Sequence, residues 1–123
     1  MKRIVKIGIL IAGLMGIYVP SILAQDKAPS FPGGEEALKQ YLKDNTKYPE
    51  IAQENGVEGI VEVGFIVMID GKLQNIKVIK FIDPDLEKEA IRVVSGMPAW
   101  IPAEKDGSPI EAPASVNVPF LLE

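Results

Sequence analysis

Between Val57 and Ile69 almost every residue is apolar, and this run, closed by Asp70-Gly71, limits the folds open to the chain. Its odd positions are Val57, Gly59, Val61, Val63, Phe65, Val67 and Ile69. Of the even ones, Ile60, Ile66 and Met68 are apolar and Gly64 is small, leaving only Glu58 and Glu62 charged. A half-exposed strand alternates apolar with polar residues, so this run predicts a central strand covered on both faces. Asp70-Gly71 supplies the positive φ of a two-residue type I′ turn. Leu73 to Phe81 then returns as a second strand, with Ile76 and Val78 on one face.

The chain has 123 residues, one domain's worth, and neither cysteine nor histidine. That excludes disulfides, thiol nucleophiles, zinc sites of the usual kind and the side chain that titrates near neutrality. Catalysis would fall to carboxylates, Lys or Ser, and Ser95, Ser108 and Ser115 have no activating partner motif, so no enzyme is expected. Asp83, Asp85, Glu87 and Glu89 lack the spacing and central glycine of a calcium loop, so neither metal nor cofactor is expected.

Residues 1–24 have the order of a secretory signal: Lys2, Arg3 and Lys6, an apolar run from Ile7 to Val19, then Pro20 and a small-residue end at Ala24. Cleavage after Ala24 is expected, giving an exported protein. Ile22 is a less typical residue for a cleavage site, which leaves an uncleaved membrane anchor as the alternative. Three of the 13 basic residues lie in this segment and none of the 17 acidic ones, so the remaining chain carries a net charge of −7. An acidic surface repels phosphate backbones and anionic headgroups, which argues against nucleic acid and membrane-surface partners.

Residues 25–30 form a polar leader, and Phe31 to the C-terminus is the predicted domain. After Phe31-Pro32-Gly33-Gly34, the residues Ala37, Leu38, Tyr41 and Leu42 share one helical face, with Glu35 and Glu36 at the dipole-favoured N-terminal end. Pro49 is placed to begin a short helical turn that Gly56 ends in a left-handed cap. Asp83 as N-cap and Pro84 at the first position open the main helix. Its stripe of Leu86, Ala90, Val93, Val94 and Met97 faces the sheet, and Gly96 stops it. Trp100, between Pro98 and Pro102, reads as a core plug, with the lining of a groove as the alternative, and Gly107-Ser108-Pro109 as a turn.

The last segment alternates: Ala114, Val116, Val118, Phe120 and Leu122 lie on one face. Pro113 and Pro119 have the same parity, so their missing N–H groups face one lateral side, which puts this strand at the sheet border. A helical crossover makes it parallel to the second strand and antiparallel to the first. The predicted fold is α+β: a three-stranded antiparallel sheet of order 2-1-3, one main helix on a face and an additional N-terminal helix.

Tyr48-Pro49, Ala52, Gly56, Gly59, Val61, Phe65, Asp70-Gly71, Val78, Leu86, Glu89-Ala90, Pro98, Trp100, Pro102, Gly107 and Phe120 follow in the order and spacing of the TonB C-terminal domain family. The chain resembles the variant in which Phe-Pro-Gly-Gly and an extra helix precede Tyr-Pro. The resemblance implies a periplasmic domain that binds a short extended peptide, the TonB box, of an outer-membrane transporter, adding it as a strand beside the third strand. The matching peptide-binding residues are Ala114, Ser115, Val116, Asn117, Val118 and Phe120, together with Asn45, Thr46 and Lys47 before Tyr48. Transducing members keep a membrane helix with a histidine and a long proline-rich spacer. This chain has no histidine, and the six residues between Ala24 and Phe31 reach at most ~20 Å. The leading expectation is therefore a binding domain engaging a transporter or another extended peptide, with no small-molecule substrate. The alternatives are a shortened membrane-anchored transducer and a homodimer formed by pairing open strands.

Overall fold

A computed structural model describes residues 26–123; the predicted signal segment lies outside them. In order the elements are α1 (Gly34–Asn45), α2 (Glu50–Glu54), β1 (Gly59–Val67), β2 (Leu73–Val78), α3 (Pro84–Ser95), β3 (Ala103–Lys105), β4 (Ser108–Ile110) and β5 (Ala112–Phe120). The three long strands form one antiparallel sheet in the order β2-β1-β5, as the parity of the prolines requires. β3 and β4 make a small separate hairpin that the sequence reading did not anticipate.

The core lies on the odd face of β1. Val61, Val63 and Val67 are fully buried there, opposite Leu86, Ala90, Val93 and Val94 of α3 and beside Val118 and Phe120 of β5. Each such side chain contributes about 1.5–3 kcal/mol by leaving water. α3 begins as its sequence dictates: the Asp83 carboxylate accepts from the N–H groups of Asp85 and Leu86, and Pro84 occupies the first turn.

The other face of β1 is not covered, contrary to expectation. The three helices send their buried residues to the odd side; Ile60 is 49% exposed, and Glu62, Ile66 and Met68 are half-buried. Gly64 is buried because Ile79 crosses over it, so close that a Cβ would lie 2.6 Å from Ile79 Cδ1. The apolar even positions thus mark an open face closed locally by a neighbouring isoleucine.

The two Asp-Gly pairs exchange roles. At Asp70-Gly71 only Gly71 has positive φ (89°). Gly71 N–H donates to the Met68 carbonyl and Met68 N–H to that of Lys72, which makes the three-residue loop rather than the expected type I′ turn. Both residues of Asp106-Gly107 have positive φ (53° and 82°), and they join β3 to β4 as a two-residue turn. Ser108 and Pro109, read as turn residues, are in β4. β2 is also shorter than predicted and carries a bulge at Asn75 (φ 55°). The inserted residue allows Leu73 and Ile76, three apart, to face the same core. Pro49 is the N-cap of α2, one position earlier than expected. Gly56 (φ 68°) ends α2 as predicted: Val57 N–H donates to the Ala52 carbonyl and Gly56 N–H to that of Gln53.

An aromatic chain locks the N-terminal helix to the sheet. Phe65 packs edge-on against Trp100 (5.1 Å between centroids), Trp100 against Phe31 (6.0 Å), and Phe31 against Tyr41 of α1 (5.6 Å). Trp100 is 6% exposed, the core plug its flanking prolines suggested. The leader is stitched down as well. Lys27 and Ser30 exchange backbone hydrogen bonds with Glu104 and Ile101 at 2.8–3.0 Å.

Candidate functional site

The main-chain direction of β5 follows from two bonds on the far side of β1. Glu62 O accepts from Ile79 N–H, and Met68 N–H donates to Lys72 O, both at 2.8 Å, so even residues of β1 turn toward β2. Its odd residues turn toward β5, where they lie opposite Ala112, Ala114, Val116, Val118 and Phe120. The alternate residues Pro113, Ser115, Asn117 and Pro119 consequently point their main chains outward. No strand pairs with that side among the described residues. Prolines have no N–H, so this edge offers four carbonyls but only two donors, on Ser115 and Asn117.

Beside the edge lies a groove of about 570 Å³. Leu42, Tyr48, Pro119 and Phe120 line it with apolar surface, and Lys39 and Lys43 of α1 border it. Tyr48 is fixed twice: its hydroxyl donates to the Val57 carbonyl, and its ring stands edge-on to Phe120 (5.6 Å, 84°). Burial, with Glu58 adding to it, pushes the Tyr48 phenol above its ordinary range. Thr46 also lines the groove, and its hydroxyl is buried without a protein partner.

The strip from Asn45 to Lys47 is held by α3. Glu89 Oε2 accepts from Lys47 N–H at 2.6 Å, and Arg92 Nη2 donates to the Asn45 carbonyl at 2.8 Å. Arg92 also grips Glu89 through Nε and Nη2, both at 2.8 Å. That contact first, and then the Lys47 N–H, holds the Glu89 carboxyl below its usual range against the opposing effect of burial. The same contact raises Arg92 further.

The nine residues expected at the site separate into three groups. Thr46, Asn117 and Phe120 meet in the groove, and Ser115 shares the outer edge with Asn117. Ala114, Val116 and Val118 turn their main chains toward β1, with the two valines buried in the core, so they hold the edge rather than present it. The Asn45 carbonyl and the Lys47 N–H turn toward α3 while the Asn45 side chain bonds back to the Tyr41 carbonyl, and Lys47 borders a separate depression with Glu89 and Arg92. Sequence reasoning missed Lys39, Leu42 and Lys43. The signal was there: 39 and 43 are one turn apart on α1, next to the stripe of Leu38 and Leu42. Among the described residues no acidic cluster could hold a metal.

Residues 44–122 match the family model of the Gram-negative bacterial TonB protein C-terminal region. The chain belongs to the TonB C-terminal domain family. Two NMR solution structures of the Helicobacter pylori TonB-CTD share its fold. One superposes with TM-score 0.53 at 23% identity, covering 69% of this chain and 77% of that one. A shorter version gives TM-score 0.52 at 22% identity, covering 69% and 89%. No curated protein matches as a relative. TonB C-terminal domains are non-enzymatic binding domains of the periplasm that take part in TonB-dependent transport and interact with outer-membrane transporters. Among the described residues of this TonB-type chain no helix is long and apolar enough to cross a membrane. Its α1 up to Lys43 precedes the matched stretch.

Proposed function

We propose that this chain is a periplasmic TonB-type domain that takes up the TonB box of an outer-membrane transporter, or another extended peptide, as a strand beside β5. The observation that carries this reading is the outward main chain of Ser115 and Asn117 next to a preformed groove. Main-chain pairing supplies affinity for a peptide of almost any sequence, and pockets for alternate side chains supply selection. Ser115 and Asn117 act through their backbones, while Thr46 and Phe120 meet the side chains that enter the groove. Ala114, Val116 and Val118 keep the edge flat, and Asn45 and Lys47 position Thr46.

Amide NMR of the exported protein, titrated with a capped peptide of a transporter's TonB box, tests this. Ser115, Asn117 and Thr46 should move most; shifts confined to α3 or to the open face around Ile60 would remove the reading. Residues 1–24 are, in the same reading, a cleaved signal and 25–30 a leader to the domain from Phe31. N-terminal sequencing that finds Met1 retained would favour a membrane-anchored transducer instead.

A second reading has one specific observation in its favour. Pro113 and Pro119 flank Ser115 and Asn117 symmetrically, which suits antiparallel pairing of two β5 edges, Ser115 of one copy opposite Asn117 of the other. Sedimentation over a range of concentrations separates this dimer from a monomeric binder.

A further inference from the structure

We infer that α1 makes the β5 site selective for charge: the segment it accepts carries an acidic side chain on the face turned toward the helices. This rests on the strand-addition reading and goes beyond it, because the determinants lie before the residues that define the family.

A strand added in the plane of the sheet lies about 4.8 Å outside β5, and its side chains alternate between the two faces. Those on the helix side enter the space between β5 and α1, above Leu42, Tyr48 and Phe120. The border of that space is basic. Lys39 and Lys43 are both exposed and stand one turn apart along α1. The Lys39 ammonium has only a loose contact with Glu36, 3.8 Å away with both side chains largely in water, and Lys43 has no ion-pair partner among the described residues. The adjacent acid, Asp44, is engaged by Gln40 on a neighbouring stripe of the helix (2.8 Å). A chain that is acidic overall therefore presents two exposed cations, one of them only loosely paired, at the groove beside its open strand. A carboxylate on the incoming strand would meet them at the rim, while its apolar neighbours on the same face cover the groove floor. Such charges act mainly on selection between partners and on encounter rate.

The test uses capped octapeptides of alternating Val and Thr, with Glu, Gln or Lys placed at one position of each parity in turn. They are titrated by amide NMR into the full exported chain and into its Lys39→Glu/Lys43→Glu and Lys39→Gln/Lys43→Gln variants. Both positions are exposed on a helix, so the variants should melt close to the parent. For one parity only, the Glu peptide should bind the parent about three- to tenfold tighter than the Gln peptide at low salt, with Lys weakest. The order should flatten in the Gln variant and invert in the Glu variant. Equal affinities for the three peptides, or an unchanged order in the variants, would overturn the inference while shifts at Ser115 and Asn117 left strand addition standing. Failure of every peptide to bind would overturn both.

Discussion

Glu89 and Lys47, distant in sequence, are joined by a 2.6 Å hydrogen bond from the Lys47 N–H to the Glu89 carboxylate, with only 11% of the Glu89 side chain exposed. Arg92 completes the clamp at Asn45. Two residues one turn apart on α3 thereby set the strip that carries Thr46 and Tyr48 to the groove.

The clamp makes stability depend on pH. Arg92, and after it the Lys47 N–H, hold the Glu89 carboxyl below its ordinary value of 4.5. Its contribution is complete above that value and fades as pH falls through the folded-state value. Glu89→Gln should cost about 1–2 kcal/mol near neutrality, and the difference from the parent should close on acidification. Urea unfolding at a series of pH values measures this; a gap that stays constant into strong acid would show that the carboxylate's charge does not matter.

Gly71 is irreplaceable for two reasons. Its φ is 89°, and a Cβ there would lie 2.2 Å from the Trp100 carbonyl, while its own carbonyl accepts from Trp100 N–H at 2.9 Å. Gly71→Ala should destabilise the protein by about 2–4 kcal/mol. The Trp100 emission spectrum should shift with it, because the connector must give way.

Asp83→Ala should cost about 0.5–2 kcal/mol, since it leaves the N–H groups of Asp85 and Leu86 without their acceptor. Thermal melting reads this as a loss of several degrees. Asp83→Asn, which keeps the acceptor, should recover most of it.

The two faces of β1 should respond oppositely. Val61→Ala empties a fully buried site and should cost about 2 kcal/mol, whereas Ile60→Thr on the open face should stay within about 0.5 kcal/mol. Equal losses at both positions would mean that the even face is covered after all.

Asn117→Pro separates docking from folding. Its N–H points away from β1, so a proline there costs the sheet nothing and the edge tolerates it. The melting temperature should change little while the peptide-induced shift at Ser115 disappears. Undiminished binding would place the peptide elsewhere.

Strand order was readable because proline parity and the crossover rule depend only on sequence positions. Asp83-Pro84 and Gly56 were readable because caps are local. The two Asp-Gly turns were not: each pair supports either loop, and the outcome goes with partners outside the pair, the distant Trp100 at the first and the flanking β3–β4 pairing at the second. The even face of β1 misled because Ile60 and Ile66 look like core residues, although no third layer exists among the described residues to bury them. At the site, Thr46, Ser115, Asn117 and Phe120 lie in or beside the groove, whereas Lys39 and Lys43 gain meaning only once α1 is seen to share that groove with the end of β5. The Glu89–Arg92 clamp needed the folded helix, since neither side chain is near Lys47 in sequence.

Pro113 and Pro119 bear on how this protein avoids polymerising. A long, fully donating border invites copy after copy to stack into fibrils, a hazard for a small protein with no disulfide to hold it shut. Here the prolines cap the exposed ladder after two donors. The same pair of residues that removes two donors from this edge guards it against runaway β-assembly.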